Sequence, residues 1–415
     1  MTVDETRTAP GTVRTWWIRL VLLATVVLVV LATGEIATRL FVPEAIWRFH
    51  VDGDDWQFDE QIGWVHRPNL DVTRSHDGRL VRFRTNDDGV TPPTARRPRS
   101  PGVARVMLFG DSSVLGRWVN RDEAIDTHLS RRLHSEGVVA EVINAGVEGY
   151  ATDQVLLLME RLVPLYRPDV VGYGLHPNDF GGIQIREAYG NSKPMFTFAE
   201  NGSLELLPPP FRERRIQSLG TRGLRTSIQH SALYRLAQPF VTRLRARFGG
   251  WEHELLHGID QEALYYRAEA LERVDWRLLG ALLDRMRAVS AEHGAKFFLY
   301  HHPEIGAVWD PYVETFLSRT GIAKEQYDRY AIEKRLAALT EARGIPFCPV
   351  VAVFLANQAR GPFHLLPRDY HCASAGYQLT AEVIADFLIH DGMLPAGPVG
   401  RSVEPDAGTA RGRAR

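Results

Sequence analysis

Between residues 105 and 394 the chain alternates short apolar segments with helical segments, and this rhythm restricts its fold more than any other feature. Five short apolar segments are predicted to be buried strands, at 106–109, 139–143, 169–174, 296–300 and 346–351. Helices are predicted at 123–133, 154–165 (with Asp153 as the N-cap), 271–289, 325–343 and 375–390. Strands that alternate with helices predict an α/β domain with a doubly wound, five-stranded parallel sheet.

The remaining segments surround or interrupt this domain of residues 105–394. We interpret 181–260 as a large insertion, in which 196–206 predicts a hairpin turning at Asn201-Gly202. Residues 211–248 hold nine Arg and one acidic residue, which fits a solvated helical face or a surface that meets anionic lipid or polymer. Residues 35–104 look irregular and are predicted to be a lead-in subdomain and linker. The N-terminal tail 1–15 and a disordered tail 395–415 complete the organisation.

Residues 16–34 form a run of 19 residues with one charge, Arg19, near its end. About 20 apolar residues span a bilayer core, so the run predicts a transmembrane anchor. A cleaved signal peptide and a buried core helix are the alternatives. Three Arg lie before or at the start of the run and two follow it, which favours a cytoplasmic N-terminus and a body outside the cytoplasm.

Composition excludes several classes of protein. The 49 Lys and Arg against 50 Asp and Glu give a net charge of −1, which disfavours a dedicated nucleic-acid binder. Two cysteines, Cys348 and Cys372, are too few for a disulfide-rich scaffold or a Cys-rich metal site. Outside the cytoplasm they could form one disulfide, and two reduced thiols are the alternative.

Polar residues suited to acyl transfer follow the predicted strands. Ser112 follows the first strand, a glycine-containing segment (144–150) the second and Asn178 the third, while Asp369 and His371 precede the last helix. Parallel strands place such residues at one edge of the sheet. His is the usual base for Ser, a carboxylate orients the His, and amide groups stabilise an oxyanion. Each motif alone is explained by a turn, a cap or a loop, but their joint placement favours a catalytic site.

This order of blocks resembles the SGNH/GDSL hydrolase family over residues 110–376. The resemblance implies a flavodoxin-like sheet, Ser112 as the nucleophile, His371 as the base and Asp369 as the residue that orients His371. It also implies an oxyanion hole made by the Ser112 amide, the Gly149 amide and the Asn178 side chain. This chemistry needs neither a metal nor a cofactor. A metal site at His301, His302 and Asp310 is a weak alternative.

The N-terminal span, Gly63-Trp64, the segment 86–89 and the segment 144–150 are similar to those of membrane-anchored bacterial members. Two positions depart from the family pattern. Ser113 stands where Leu is usual, and the last block reads Asp-x-His instead of Asp-x-x-His, with Arg368 three residues before His371. Arg368 cannot orient a His, so Asp369 does so, or another acid does, or the site is a Ser–His dyad. Asp-x-His also occurs in related alginate-acetylation proteins, which act on exported polysaccharide.

The resemblance therefore implies a serine esterase that works through an acyl-serine, anchored by a single span in the bacterial plasma membrane with its catalytic domain outside the cytoplasm. An acyltransferase that acetylates a cell-envelope or exported glycan is one alternative, and a non-catalytic binding module is another. The expected partners are an acyl ester, including acylated glycan or lipid, and the membrane, but no nucleic acid.

Overall fold

A computed structural model describes residues 11–42, 55–76, 79–92, 94–95, 98, 101–188, 191–209, 231–234, 236–237, 261–365 and 369–394. These residues belong to two compact units. The first takes its described residues from 1–54, 72–82 and 214–256, and the second from 55–71, 83–213 and 257–415. The predicted tail 395–415 and most of the Arg-rich segment 211–248 lie outside the described residues.

The first unit contains a long apolar helix, α1 (Gly11–Phe41). Within its residues 15–41, an 18-residue window has a mean hydropathy of 2.5 and contains no buried residue, so α1 is long and apolar enough to cross a membrane. The helix continues beyond both ends of the predicted run 16–34. Near its C-terminal end, the Glu35 carboxylate accepts hydrogen bonds from Ser231 Oγ and from the backbone amides of Ala232 and Leu233.

The second unit is built on a five-stranded parallel sheet with the spatial order β2-β1-β3-β4-β5. Its strands are β1 (Ala104–Gly110), β2 (Ala140–Gly146), β3 (Val170–Leu175), β4 (Lys296–His301) and β5 (Phe347–Cys348). The order is the flavodoxin-like one, in which ligands bind where the strand order reverses, here between β1 and β3. The predicted fold class is confirmed.

Helices cover both faces of this sheet. They are α2 (Ser112–Leu115), α3 (Ile125–Ser135), α4 (Thr152–Tyr166), α5 (Asn178–Gly182), α6 (Trp276–Glu292), α7 (Ala331–Glu341) and α8 (Ser374–His390). Apolar residues of α3 and α8 pack on one face, against Val106, Leu108 and Phe298 among others. On the other face α4 packs beside α6. Because both faces are covered, β1 is buried at every position, and its residues 106–109 form a continuous apolar run.

The predicted element boundaries are wrong in four places. The helix predicted at 271–289 is a short helix (Ala268–Leu271) followed by α6, which has Asp275 as its N-cap. The fifth strand pairs with β4 only through Phe347 and Cys348, because Pro349 follows and a helix (Val351–Ala356) begins directly. The long helix predicted at 325–343 is a 3₁₀ turn (Lys324–Gln326) followed by the shorter α7. Asp153 is not an N-cap: α4 follows Ala151, and the buried Asp153 carboxylate lies 2.5 Å from Lys193 Nζ.

The lead-in segment is more regular than its sequence indicates. It contains two β-hairpins, Trp56–Asp59 with Gly63–His66 and Asp71–His76 with Arg79–Arg84. Thr91 then forms an isolated antiparallel bridge to Asn144, at the edge strand β2. In the insertion, strands Met195–Phe198 and Leu204–Leu207 confirm the predicted hairpin at 196–206. Short strands Glu187–Ala188 and Asn191–Ser192 precede it.

Three further helices lie in the described part of the second unit. They are Ala268–Leu271, Ile305–Val308 and Asp310–Thr320, with 3₁₀ turns at Arg121–Glu123, Leu264–Tyr266 and Gln358–Arg360. Both cysteines are buried and neither is bonded to another cysteine, so the structure contains two thiols, not the disulfide that an extracytoplasmic body would permit. Burial raises the pKa of each thiol, which keeps both in the neutral form.

Candidate active site

Ser112 lies at the carboxyl end of β1 and is the first residue of α2. The turn that presents it needs Gly110, because a Cβ there would lie 2.3 Å from Val114 Cγ2 and 2.9 Å from the Gly174 carbonyl oxygen. Asp111 caps α2 by accepting a hydrogen bond from Ser113 N at 2.8 Å. The backbone amide of Ser112 is among the first amides of α2, which have no partner inside a helix. It therefore remains able to donate to a ligand.

His371 and Asp369 form a continuous hydrogen-bond line with Ser112. Ser112 Oγ lies 2.8 Å from His371 Nε2, and Asp369 Oδ1 contacts His371 Nδ1 on the other side of the ring. The same Asp369 oxygen accepts from His371 N at 2.8 Å. A carboxylate at Nδ1 holds the proton there, so Nε2 is free to accept the serine proton.

The Asp-x-His spacing is sufficient for this geometry. Because Asp369 Oδ1 accepts from both the backbone amide and the ring of His371, the carboxylate folds back onto the residue two positions later. The structure thus brings Ser112, His371 and Asp369 together. Arg368, which occupies the position where the family has its acid, lies outside the described residues.

Asn178 and Gly149 are the two further groups that the sequence predicts for an oxyanion hole. Asn178 begins α5, and its Nδ2 donates to Asp111 Oδ2 at 2.7 Å. A carboxamide nitrogen carries two hydrogens, so one N–H remains for a substrate. Gly149 lies in the loop after β2 with φ +73, a conformation that favours glycine, and its amide donates to no group in the described part of the chain.

The loop that carries Gly149 is held by the first lead-in hairpin, a contact that the sequence analysis does not predict. Glu148 Oε2 lies 2.6 Å from His66 Nε2 and accepts from Trp56 Nε1 at 3.0 Å. The Glu148 carbonyl oxygen accepts from Trp64 Nε1 at 3.0 Å. Because Glu148 is next to Gly149, the sequence could have indicated that Glu148 has a role at the site. Nothing in the sequence near His66 indicates that it contacts Glu148.

Buried ionisable groups surround the end of β3. Burial, together with the nearby Asp111 charge, raises the pKa of Asp179 to about 8. Burial lowers the pKa of His176 to about 4, so its ring is neutral at neutral pH. Glu262, which follows the insertion, has its carboxylate oxygen Oε2 3.9 Å from His176 Nδ1. No sequence pattern places Glu262 here, because its chain neighbours carry no strand signal.

The alternative metal residues do not form a cluster. In the described part of the chain, no group of three or more His, Cys, Asp and Glu side chains is arranged to hold a metal ion. His301 Nδ1 lies 3.6 Å from Glu333 Oε1, and Asp310 instead pairs with Arg329.

The chain was compared with known proteins. No protein-family model matches it, and no curated protein matches it either. Among solved structures it is similar to a lipase/acylhydrolase from Enterococcus faecalis, with 13% identity over 71% of this chain and 98% of that chain and a TM-score of 0.37. An acetyl xylan esterase matches with 15% identity over 68% of this chain and 98% of its own, at a TM-score of 0.36. A member of the lipolytic protein G-D-S-L family from Veillonella parvula matches with 11% identity over 68% and 97%, at 0.34.

Proposed function

We propose that this chain is an ester hydrolase of the SGNH/GDSL type that works through an acyl-serine intermediate. The observation that carries the proposal is the line from Ser112 Oγ through His371 to Asp369, with 2.8 Å between the hydroxyl and the ring. A serine hydroxyl is a weak nucleophile unless a base takes its proton, and this line supplies both the base and the group that orients it.

In the proposed reaction, Ser112 Oγ attacks the ester carbonyl carbon while its proton moves to His371 Nε2. The carbonyl oxygen becomes an oxyanion that accepts from the amides of Ser112 and Gly149 and from Asn178 Nδ2. The intermediate collapses, the ester C–O bond breaks, and the leaving alkoxide takes the proton from His371. A water molecule then gives its proton to His371 and attacks the acyl-serine, which releases the acid and restores Ser112.

Turnover of p-nitrophenyl acetate, butyrate and octanoate by the full chain in detergent tests the proposal. We expect release of p-nitrophenol by the wild type and none above background with Ser112→Ala. The preferred acyl chain length then indicates the size of the pocket that binds the acyl group. Activity that survives in Ser112→Ala assigns the chemistry to another residue and overturns the proposal.

Two further measurements, product analysis with an added acceptor and labelling of Ser112, separate hydrolysis from the two alternatives. With water and a polysaccharide acceptor both present, a hydrolase releases free acid, whereas an acyltransferase yields acylated glycan. A binding module does neither, and a serine-directed phosphonate leaves its Ser112 unlabelled.

We further propose that α1 anchors the protein in a bacterial plasma membrane with the second unit outside the cytoplasm. The length and hydropathy of α1 support the span, and the three Arg before or at the start of the apolar run, against two after it, support the orientation. Protease added to intact spheroplasts should cleave the body of the chain, and the mature protein should retain its N-terminal sequence. A mature N-terminus beyond α1 would instead identify a signal peptide.

A further inference from the structure

The two segments that carry Gly149 and Asn178 are joined by a buried hydrogen bond. Thr152, the first residue of α4 and three positions after Gly149, donates from Oγ1 to Asp179 Oδ1 at 3.2 Å. Asp179 directly follows Asn178 in α5. Thr152 and Asp179 are 0% and 2% exposed, so the bond is shielded from bulk water. It connects the chain beside one oxyanion candidate to the chain beside the other.

The Thr152–Asp179 bond is also connected to the sheet. Thr152 Oγ1 lies 2.9 Å from the hydroxyl of Tyr173, a fully buried residue of β3, and either group can be the donor. The second carboxyl oxygen of Asp179, Oδ2, accepts from His176 N at 3.0 Å, directly after the end of β3. Movement of Thr152 or Asp179 would therefore leave buried polar atoms without partners, which costs more than a hydrogen bond contributes.

Close packing brings the same two segments together at a second point. A Cβ on Gly182, the last residue of α5, would lie 2.5 Å from the Cβ of Ala151, the N-cap of α4, so only glycine fits there. On its other side Asn178 donates from Nδ2 to Asp111 Oδ2 at 2.7 Å, and Asp111 precedes Ser112. The three groups expected to form the oxyanion hole thus belong to segments that contact one another through buried side chains.

We propose that Thr152 and Asp179 are positioning residues that hold the Gly149 amide and the Asn178 side chain at a fixed spacing, so that both donate to one oxyanion. This rests on the hydrolase function proposed above and adds two residues to its site. An oxyanion donor is effective at about 2.7–3.1 Å from the developing charge, and a displacement of about 1 Å can cost about 10²-fold in rate. The bond therefore serves the transition state more than substrate binding.

Removal of the Thr152 hydroxyl tests the proposal in the full chain with p-nitrophenyl acetate. We expect Thr152→Val to lower kcat about 10- to 100-fold with little change in KM, whereas Thr152→Ser, which keeps the hydroxyl, should stay within about threefold of the wild type. An unchanged kcat in Thr152→Val overturns the proposal, and so do equal losses of kcat in the Val and Ser variants.

Thr340→Val is the matched control, because Thr340 is only 1% exposed and its hydroxyl donates to carbonyl oxygens of its own helix, α7. It should lose stability, as Thr152→Val does, but keep the kcat of the wild type. A kcat that falls equally in Thr340→Val and Thr152→Val would reflect the loss of any buried hydroxyl and would overturn the proposal.

Two double variants identify the groups through which Thr152 acts. If Thr152 places the Asn178 amide, its own replacement matters less when that amide is absent. The loss of kcat caused by Thr152→Val should be smaller by about threefold or more in Asn178→Ala than in the wild type, and likewise smaller in Asp179→Ala, which lacks the other half of the bond. Losses that multiply fully in both backgrounds overturn the proposal.

Hydrogen exchange separates failure of this link from failure of the hydrolase function, because it needs no turnover. In Ser112→Ala, adding Thr152→Val should speed amide exchange in both 147–151 and 178–182, measured by mass spectrometry, whereas adding Thr340→Val should not. Faster exchange in both segments supports the link even if the wild type hydrolyses no ester. Faster exchange in neither segment, or only in 147–151, overturns it.

Discussion

His66 Nε2 lies 2.6 Å from Glu148 Oε2, and these two side chains are 1% and 2% exposed. The contact joins the lead-in hairpin to the residue before Gly149, across 82 positions of the chain. A buried pair of this kind resists movement because separating it leaves a buried group without its partner. The lead-in hairpin is therefore part of the support for the candidate oxyanion hole, although no lead-in residue is predicted to contact substrate.

Loss of this support should reduce turnover more than substrate binding. We expect Glu148→Gln and His66→Ala to lower kcat with little change in KM, because the role proposed for the Gly149 amide is to stabilise the transition state. The control is Asp71→Asn, which removes an exposed carboxylate 3.5 Å from Arg84. Equal losses in kcat and in folded fraction would assign His66 and Glu148 a purely structural role.

Replacement of the orienting carboxylate should remove most of the activity while the fold remains. Asn at position 369 would favour the wrong His371 tautomer, and in a comparable triad this change costs about 10⁴-fold in kcat. Asp369→Asn is measured on p-nitrophenyl acetate beside Ser112→Ala, with circular dichroism as the check on folding. If Asp369→Asn keeps wild-type turnover, the site is a Ser–His dyad.

Asn178→Ala should reduce stabilisation of the transition state while the proposed nucleophile, Ser112, stays in place. The loss of one oxyanion donor costs roughly 10²–10³-fold in kcat. Mass spectrometry after treatment with a serine-directed phosphonate should still find Ser112 labelled, at a slower rate. Full turnover by Asn178→Ala would show that its amide does nothing more than bind Asp111.

The pKa of Glu304, which burial raises to about 7, makes its effect on stability depend on pH. In the folded chain the Glu304 carboxyl keeps its proton up to a higher pH than in the unfolded chain, where its pKa is the ordinary 4.5. The contribution of Glu304 to the free energy of unfolding is therefore highest below about pH 4.5. It falls by on the order of 3 kcal/mol as the pH rises through about 7, because the buried carboxyl then ionises.

Gln does not titrate, so Glu304→Gln isolates this contribution. The free energy of unfolding of the wild type minus that of Glu304→Gln should be smaller at about pH 8 than at about pH 4.5. Thermal unfolding of both proteins at the two pH values measures the difference. A wild-type to variant difference that does not change with pH would contradict the raised pKa.

The buried pair of Lys193 and Asp153 should contribute to the stability of the second unit. Lys193 Nζ also donates to the carbonyl oxygens of Gly182 and Ile185, so it joins the start of the insertion to α4. Lys193→Met leaves Asp153 buried alone and should lower the free energy of unfolding by about 3–5 kcal/mol. The double variant Lys193→Met/Asp153→Leu should regain part of that loss, because no uncompensated charge remains. Additive effects in this cycle would show that the two side chains do not interact.

The sequence predicts best those features that depend on neighbours in the chain. The apolar runs at 106–109 and 296–300 are strands because a strand buried on both faces needs an unbroken apolar segment. The Asn201-Gly202 turn follows from backbone preference alone. Sequence-based prediction fails at the short β5, where Val350 and Val351, beyond Pro349, are the N-cap and the first residue of a helix. It also fails in the lead-in, whose strands of four to six residues give only a weak periodic signal.

The residues of the candidate site also differ in whether the local sequence predicts them. Ser112, Asn178 and His371 each follow or precede an element that local pattern reveals, and parallel strands that share one edge make their convergence predictable. His66, Glu262 and Glu304 have no such signal, because each meets its surroundings only through contacts between distant parts of the chain.

The sequence by itself determined the parallel sheet, the apolar N-terminal helix and the residues that form a Ser–His–Asp line, since periodicity and strand ends are local properties. Only the tertiary structure decided that Asp369 reaches His371 at a spacing of two, that His66 supports the Gly149 loop, and that Glu262 faces His176. Hydrogen bonds and ion pairs of this kind depend on distances of a few ångströms between segments far apart in the chain. The packing of those segments sets these distances, and no local pattern records them.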